Sequence, residues 1–140
     1  MSELTPVIII TGLVWFVAQS GKFLLARARG QRVHFMETGG MPSGHAAFVT
    51  AMTTVVALRD GLDSTTFGIA LVLTAIVLHD AIRVRWSVGQ QAERINELVD
   101  KAGLPKGERV VVWHGHRIRE IAVGSLIGVS LSVIFHSVLY

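Results

Sequence analysis

Seven residues in three separate stretches have the types and spacing to hold and attack a phosphate group: Lys22, Arg29, Ser43, Gly44, His45, His116 and Glu120. In KFLLARAR, Lys22 and Arg29 stand seven positions apart. Two helical turns separate them, so both cations fall on one face near the end of an apolar run. In GGMPSGH, residues 39–45, Pro42 cannot continue a preceding helix, and Ser43 is a good N-cap for the next one. The unpaired N–H groups and partial positive charge of a helix N-terminus attract phosphate. Gly44 would let the backbone approach a ligand closely, and His45 would stand in the first turn. In HGHRIREIAVGSLIG, residues 114–128, His116 and Glu120 are four apart and share a helix face. A carboxylate at that spacing can accept a hydrogen bond from one ring nitrogen. The other nitrogen is then left as a nucleophile, the orienting logic of a catalytic triad.

Each stretch also has a plainer reading. GGMPSGH alone is a turn with a helix cap. Lys and Arg at a helix end commonly snorkel to the interface, which accounts for Arg27 and Arg32. An exposed i, i+4 pair contributes only a few tenths of a kcal/mol. Gly124 and Gly128, spaced GxxxG, point to close helix packing. His79 and Asp80 end an apolar segment, where an acid is costly unless paired; Arg83 and Arg85 are the nearest partners. His45, His114 and His116 could chelate zinc, although an HxH pair is thin support for that.

These stretches must be positioned by membrane helices. The chain has 140 residues, 51% of them apolar and 16% charged, against a typical charged share of about 25%. Leu4 to Gly21 and Ile121 to Tyr140 are runs of 18 and 20 residues without a formal charge. At 1.5 Å per residue each covers roughly 27–30 Å, one hydrocarbon core. Ala46–Leu58 and Ser64–Leu78, of 13 and 15 uncharged residues, are joined by the polar turn RDGLD and read as a helical hairpin. The sequence therefore predicts one all-α unit over residues 1–140, a polytopic bundle of about four membrane helices. A further amphipathic helix is predicted over residues 87–103, capped by Ser87 and ended by Gly103, on the membrane surface or over the bundle.

Of 13 Lys and Arg, all but Arg59 fall in the segments that such a topology puts on one side. The positive-inside rule makes that side, with the candidate site, cytoplasmic. No basic leader or small-residue cleavage site marks a signal peptide. The absence of cysteine excludes disulfides and thiolate chemistry. The net charge of +3 is explained by topology and phosphate headgroups, so nucleic acid is not an expected partner. A bundle this thin favours self-association.

Taken in order, Lys-x6-Arg, Pro-Ser-Gly-His and His-x3-acid resemble the type 2 phosphatidic acid phosphatase superfamily, which includes the vanadium haloperoxidases. GGMPSGH and DAIRVRWSVGQQAERIN look most like its divergent branch of small membrane proteins. The resemblance implies hydrolysis of a lipid phosphate monoester or diphosphate with no metal or other cofactor. It implies that His116 forms a phosphohistidine, that Glu120 orients it, and that His45 protonates the leaving alcohol and then activates water. It further implies that Lys22, Arg29, Ser43 and Gly44 hold the phosphate oxygens. The chain departs from the pattern in three places. Gly30 stands where a proline follows the first arginine, Val110 stands six before His116 with Arg109 one position off, and the acid is Glu120 rather than Asp. Arg83, Arg85 or Arg117 could supply the displaced cation. The other reading is a member that binds a phosphorylated lipid, or scaffolds partners, without turnover.

Overall fold

A computed structural model of the protein describes residues 4–30, 40–105, 107, 109–112 and 117–140, and the long elements among them are all helices. They are α1 (Leu4–Ala28), α2 (Gly44–Asp60), α3 (Thr65–His79), a π-helical turn (Asp80–Val84), α4 (Arg85–Lys101) and α5 (Ile118–Leu139). Local chemistry sets most of the ends. Gly30, at φ 72°, turns the chain out of α1. The Ser43 hydroxyl accepts the Ala46 N–H at 3.3 Å and opens α2. Gly61, at φ 84°, closes α2, and the Ser64 hydroxyl accepts the Phe67 N–H at 3.1 Å to open α3. The expected hairpin is therefore present, with its polar turn between Asp60 and Ser64.

Three helices have the length and apolar content to cross a membrane: Pro6–Ala28, Thr65–Lys101 and Ile118–Leu139. At 17 residues α2 is shorter, but it starts beside the C-terminal half of α1 and ends where α3 begins, so it traverses the same thickness. The amphipathic segment is α4, ended as expected at Gly103, whose φ is 67°. Its expected start is corrected. Ser87 does not cap a new helix, because α3 runs through the π turn into α4 without a break. No proline and no polar turn interrupts residues 65–101, so the backbone ladder simply continues, and the Ser87 hydroxyl accepts from Gln91 at 3.5 Å instead. The resulting 37-residue rod is roughly 55 Å long, well beyond a hydrocarbon core of about 30 Å.

Helix α2 packs against α1, α3 and α5, and α1 also touches α5. Against α1, Ile10, Val14 and Ala18 bury against Ala47, Ala51 and Val55. Against α3, the contact is polar at its centre. The Thr53 and Thr74 hydroxyls lie 2.7 Å apart, with the Ala70 carbonyl 3.1 Å from Thr53 and the Val49 carbonyl 3.1 Å from Thr74, so two hydroxyl protons serve three contacts. Crossed contacts of this kind fix α3 antiparallel to α2. Large apolar side chains such as Ile8, Ile69, Val72, Ile76 and Leu126 face outward, as expected where lipid is the solvent.

The contact with α5 depends on glycine. A Cβ at Gly124 would collide with the Ser43 carbonyl oxygen and stand 3.1 Å from the Ala46 Cβ. A Cβ at Gly128 would collide with the Thr50 hydroxyl and lie 2.6 Å from the Ala47 carbonyl oxygen. Gly12 and Gly68, by contrast, have nothing within 4 Å of a Cβ. Gly124→Ala and Gly128→Ala should therefore each lower stability by about 1–3 kcal/mol through overpacking. Gly12→Ala and Gly68→Ala should be neutral or raise it by up to about 1 kcal/mol through helix propensity. Unfolding midpoints in detergent, compared across the four variants, check this ordering.

Candidate functional site

Lys22, Ser43, Gly44, His45 and the backbone of Glu120 lie together at the N-terminal turn of α2. Ser43 is fully buried, and so is Ala46, the residue whose N–H it caps. The Ser43 backbone N–H donates to the carbonyl of Glu120 at 3.1 Å, joining GGMPSGH directly to the first turn of α5. Gly44 faces α1: a Cβ there would lie 2.9 Å from the Gln19 amide oxygen and 3.8 Å from the Trp15 ring nitrogen. One turn beyond Gln19, Lys22 extends beside the loop, its Cε 3.6 Å from where a Cβ on Gly40 would stand. Lys22 is half-buried and His45 exposed. Backbone, cation and imidazole thus gather at one end of the bundle.

Arg29 lies just past the end of α1, exposed, on the face of Lys22 but two turns further out. Glu120 is partly buried in the first turn of α5, and its Oε2 accepts the backbone N–H of Arg117 at 3.1 Å. This carboxylate therefore has a structural duty as the helix cap. His116, expected to be the nucleophile, lies outside the described residues, as does His114.

The candidate substitute cations are sorted by position. Arg117, at the N-cap of α5, and Arg83, in the π turn, are exposed. Arg85 is less so, its side chain 34% exposed, with Nε 3.8 Å from the Asp80 carboxylate. Arg109 is committed elsewhere. It makes a two-pronged contact with Asp100 at the end of α4, at 2.5 and 2.6 Å, and that carboxylate holds its guanidinium above the usual arginine range. Asn96 and Val110 exchange two hydrogen bonds beside it, at 2.9 and 3.0 Å. Arg109 and Val110 are thereby held against the C-terminal half of α4.

Two features escaped the sequence reading. Gln19, an amide in an apolar span, is buried against the cap of α2, and its polarity within that span was the available signal. The π turn carried none, because its five residues, DAIRV, read as ordinary helix.

The sequence profile of the divergent PAP2 family matches residues 4–131, which takes in all three motif-bearing stretches. The chain belongs to the divergent PAP2 family. It is also 37% identical to the uncharacterized membrane protein YuiD of Bacillus subtilis strain 168 over 111 residues, 69% of this chain and 70% of that protein. No solved structure matches it significantly. Family and relative agree with the helices in making this an integral membrane protein of PAP2 type.

The cap itself is testable. Ser43→Ala removes the hydroxyl that accepts the Ala46 N–H while leaving the backbone link to Glu120 in place. The expected loss is about 1 kcal/mol of stability, read as a lowered unfolding midpoint in detergent. An unchanged midpoint would contradict the cap.

Proposed function

We propose that this PAP2-type protein is a metal-independent lipid phosphate phosphatase, acting on a phosphate monoester or diphosphate at one membrane face. A ring nitrogen of His116 attacks phosphorus and the bond to the leaving oxygen breaks. The departing alkoxide takes a proton from His45. Water, deprotonated by His45, then attacks the phosphohistidine, releasing inorganic phosphate and restoring both imidazoles. Glu120 orients His116, while Lys22, Arg29, Ser43 and Gly44 hold the phosphate oxygens. Catalysis of this type rests on positioning and on fixed charges rather than on a metal.

The observation that carries this reading is the 3.1 Å hydrogen bond from the Ser43 N–H to the Glu120 carbonyl. It ties the proposed anion-binding turn to the first turn of α5, which opens two residues after the proposed nucleophile. Lys22, at the same end of the bundle, supports the reading by adding positive charge where a headgroup would lie. The basic bias of that side makes it cytoplasmic in this proposal. Self-association of the thin bundle belongs to the same proposal.

One observation favours the second reading, a protein that binds a phosphorylated lipid without turning it over. The Glu120 carboxylate is engaged by the Arg117 N–H, and a purely structural acid would need no catalytic partner. A single set of measurements separates the two. The purified protein is incubated in EDTA with phosphatidic acid, phosphatidylglycerol phosphate or an isoprenyl diphosphate, and phosphate release and lipid binding are both recorded. The expected result is vanadate-sensitive release, abolished in His116→Ala, with a phosphoenzyme accumulating in His45→Ala. Undiminished turnover by His116→Ala would refute the mechanism, and saturable binding without release would establish the second reading.

A further inference from the structure

We propose that Arg85 is a phosphate-oxygen ligand of this site, delivered by the π turn and neutralised by Asp80 when no substrate is bound. The inference rests on the phosphate-binding reading above and adds to it a third wall, contributed by the α3–α4 rod. Residues five apart in an α-helix diverge by about 140° around the axis, so Asp80 and Arg85 would not meet in one. In the π turn the Arg85 N–H bonds to the Asp80 carbonyl, a closure from residue i to i+5. That closure brings the two side chains to the same side, with Arg85 Nε 3.8 Å from Asp80 Oδ2.

The turn is also seated against the site. Its one buried residue, Ala81, packs on Ala46 and Ile121. Ala46 is the residue capped by Ser43, and Ile121 follows the residue whose carbonyl Ser43 binds. Because α3 is antiparallel to α2, one further turn along the rod rises towards the Ser43–Glu120 junction. Arg85 occupies that turn, followed at helical spacing by the buried Gly89 and Ala92. Arg83 and Arg117, the other two arginines weighed as substitute cations, are exposed.

The resting pair is built to exchange. A single carboxylate at 3.8 Å, with the two side chains 34% and 48% exposed, is a loose ion pair. A phosphate offers more charge and the paired oxygens that a guanidinium engages with two hydrogen bonds. Asp80, otherwise a costly acid at the end of an apolar helix, keeps the arginine neutralised until the phosphate displaces it.

The test measures orthovanadate binding to the full-length protein in detergent, alongside phosphate release, for wild type, Arg85→Gln, Arg85→Lys, Asp80→Asn and Arg94→Gln. Arg94 lies on α4 in an exposed pair with Glu97 and serves as the control. Arg85→Gln should weaken vanadate binding about ten- to hundred-fold, the range for a lost charge-assisted hydrogen bond. Arg85→Lys should recover part of that loss. Asp80→Asn should tighten binding by up to about fivefold, since it removes a competing anion of small worth, and Arg94→Gln should leave it unchanged. A wild type that binds vanadate together with an Arg85→Gln variant within twofold of it would overturn the proposal while leaving the phosphatase reading intact. If Arg85→Gln does not fold, Asp80→Asn decides: unchanged or weaker binding overturns the exchange. A wild type that neither binds vanadate nor releases phosphate would sink the underlying reading, and this inference with it.

Discussion

The arrangement depends on how closely α5 can approach the head of α2. Lipid tails are as apolar as leucine, so hydrophobic attraction does not pull membrane helices together. Close packing and interhelical hydrogen bonds must do so. Gly124 and Gly128 supply the first by letting the α5 backbone come against the Ser43 and Ala47 carbonyls. The second comes from the Ser43 N–H to the Glu120 carbonyl at 3.1 Å. The same two glycines that make the bundle tight therefore also set the distance between the N-terminal turn of α2 and the first turn of α5. Stability and site geometry are one constraint here.

Helix α2 satisfies that constraint by being thin. Its contact positions are Gly44 against α1, Ala46 against the π turn and α5, and Ala47 and Ala51 in the main core. Small residues on several faces let three neighbours approach one axis, so a helix of 17 residues can be the centre of the fold. The polar contact with α3 complements this. Each of Thr53 and Thr74 has the other hydroxyl and a backbone carbonyl within reach, so neither hydroxyl is stranded in an apolar interior. Elsewhere the interior is less well matched: the Thr11 and Ser132 hydroxyls and the His136 Nδ1 are buried with no hydrogen-bond partner among the described residues.

Local signals were legible in the sequence and long-range ones were not. Ser43 and Ser64 as caps, Gly103 as a stop, the polar hairpin turn and the apolar runs each depend on residues within a turn of one another. The GxxxG of α5 was readable as a packing motif, but which helix it would meet was not. The break expected at Ser87 failed because a good capping residue does not end a helix that nothing else interrupts. The π turn was invisible for a related reason. Its stability comes from Ala81 seating on Ala46 and Ile121, residues 35 and 40 positions away in the chain. The convergence of Lys22, Ser43, Gly44 and Glu120 could be inferred only from the family resemblance, since no local pattern links them.

The substitution of Glu for Asp in the last motif acquires a physical reason from the start of α5. A glutamate three residues into a helix reaches back to the N-cap N–H, the acid half of a capping box, and Glu120 does this to Arg117. An aspartate, one methylene shorter, reaches that N–H less easily. The longer side chain thus has a structural reason of its own. It opens the helix on which the motif sits, and that helix carries the carbonyl to which Ser43 donates. A carboxylate has two oxygens and about four acceptor positions, so engagement of Oε2 by the backbone leaves it the capacity to orient an imidazole as well. In the proposed reaction the cap would then contribute to catalysis by fixing the carboxylate in one orientation, since a group already held by the backbone loses little further freedom when it orients the nucleophile.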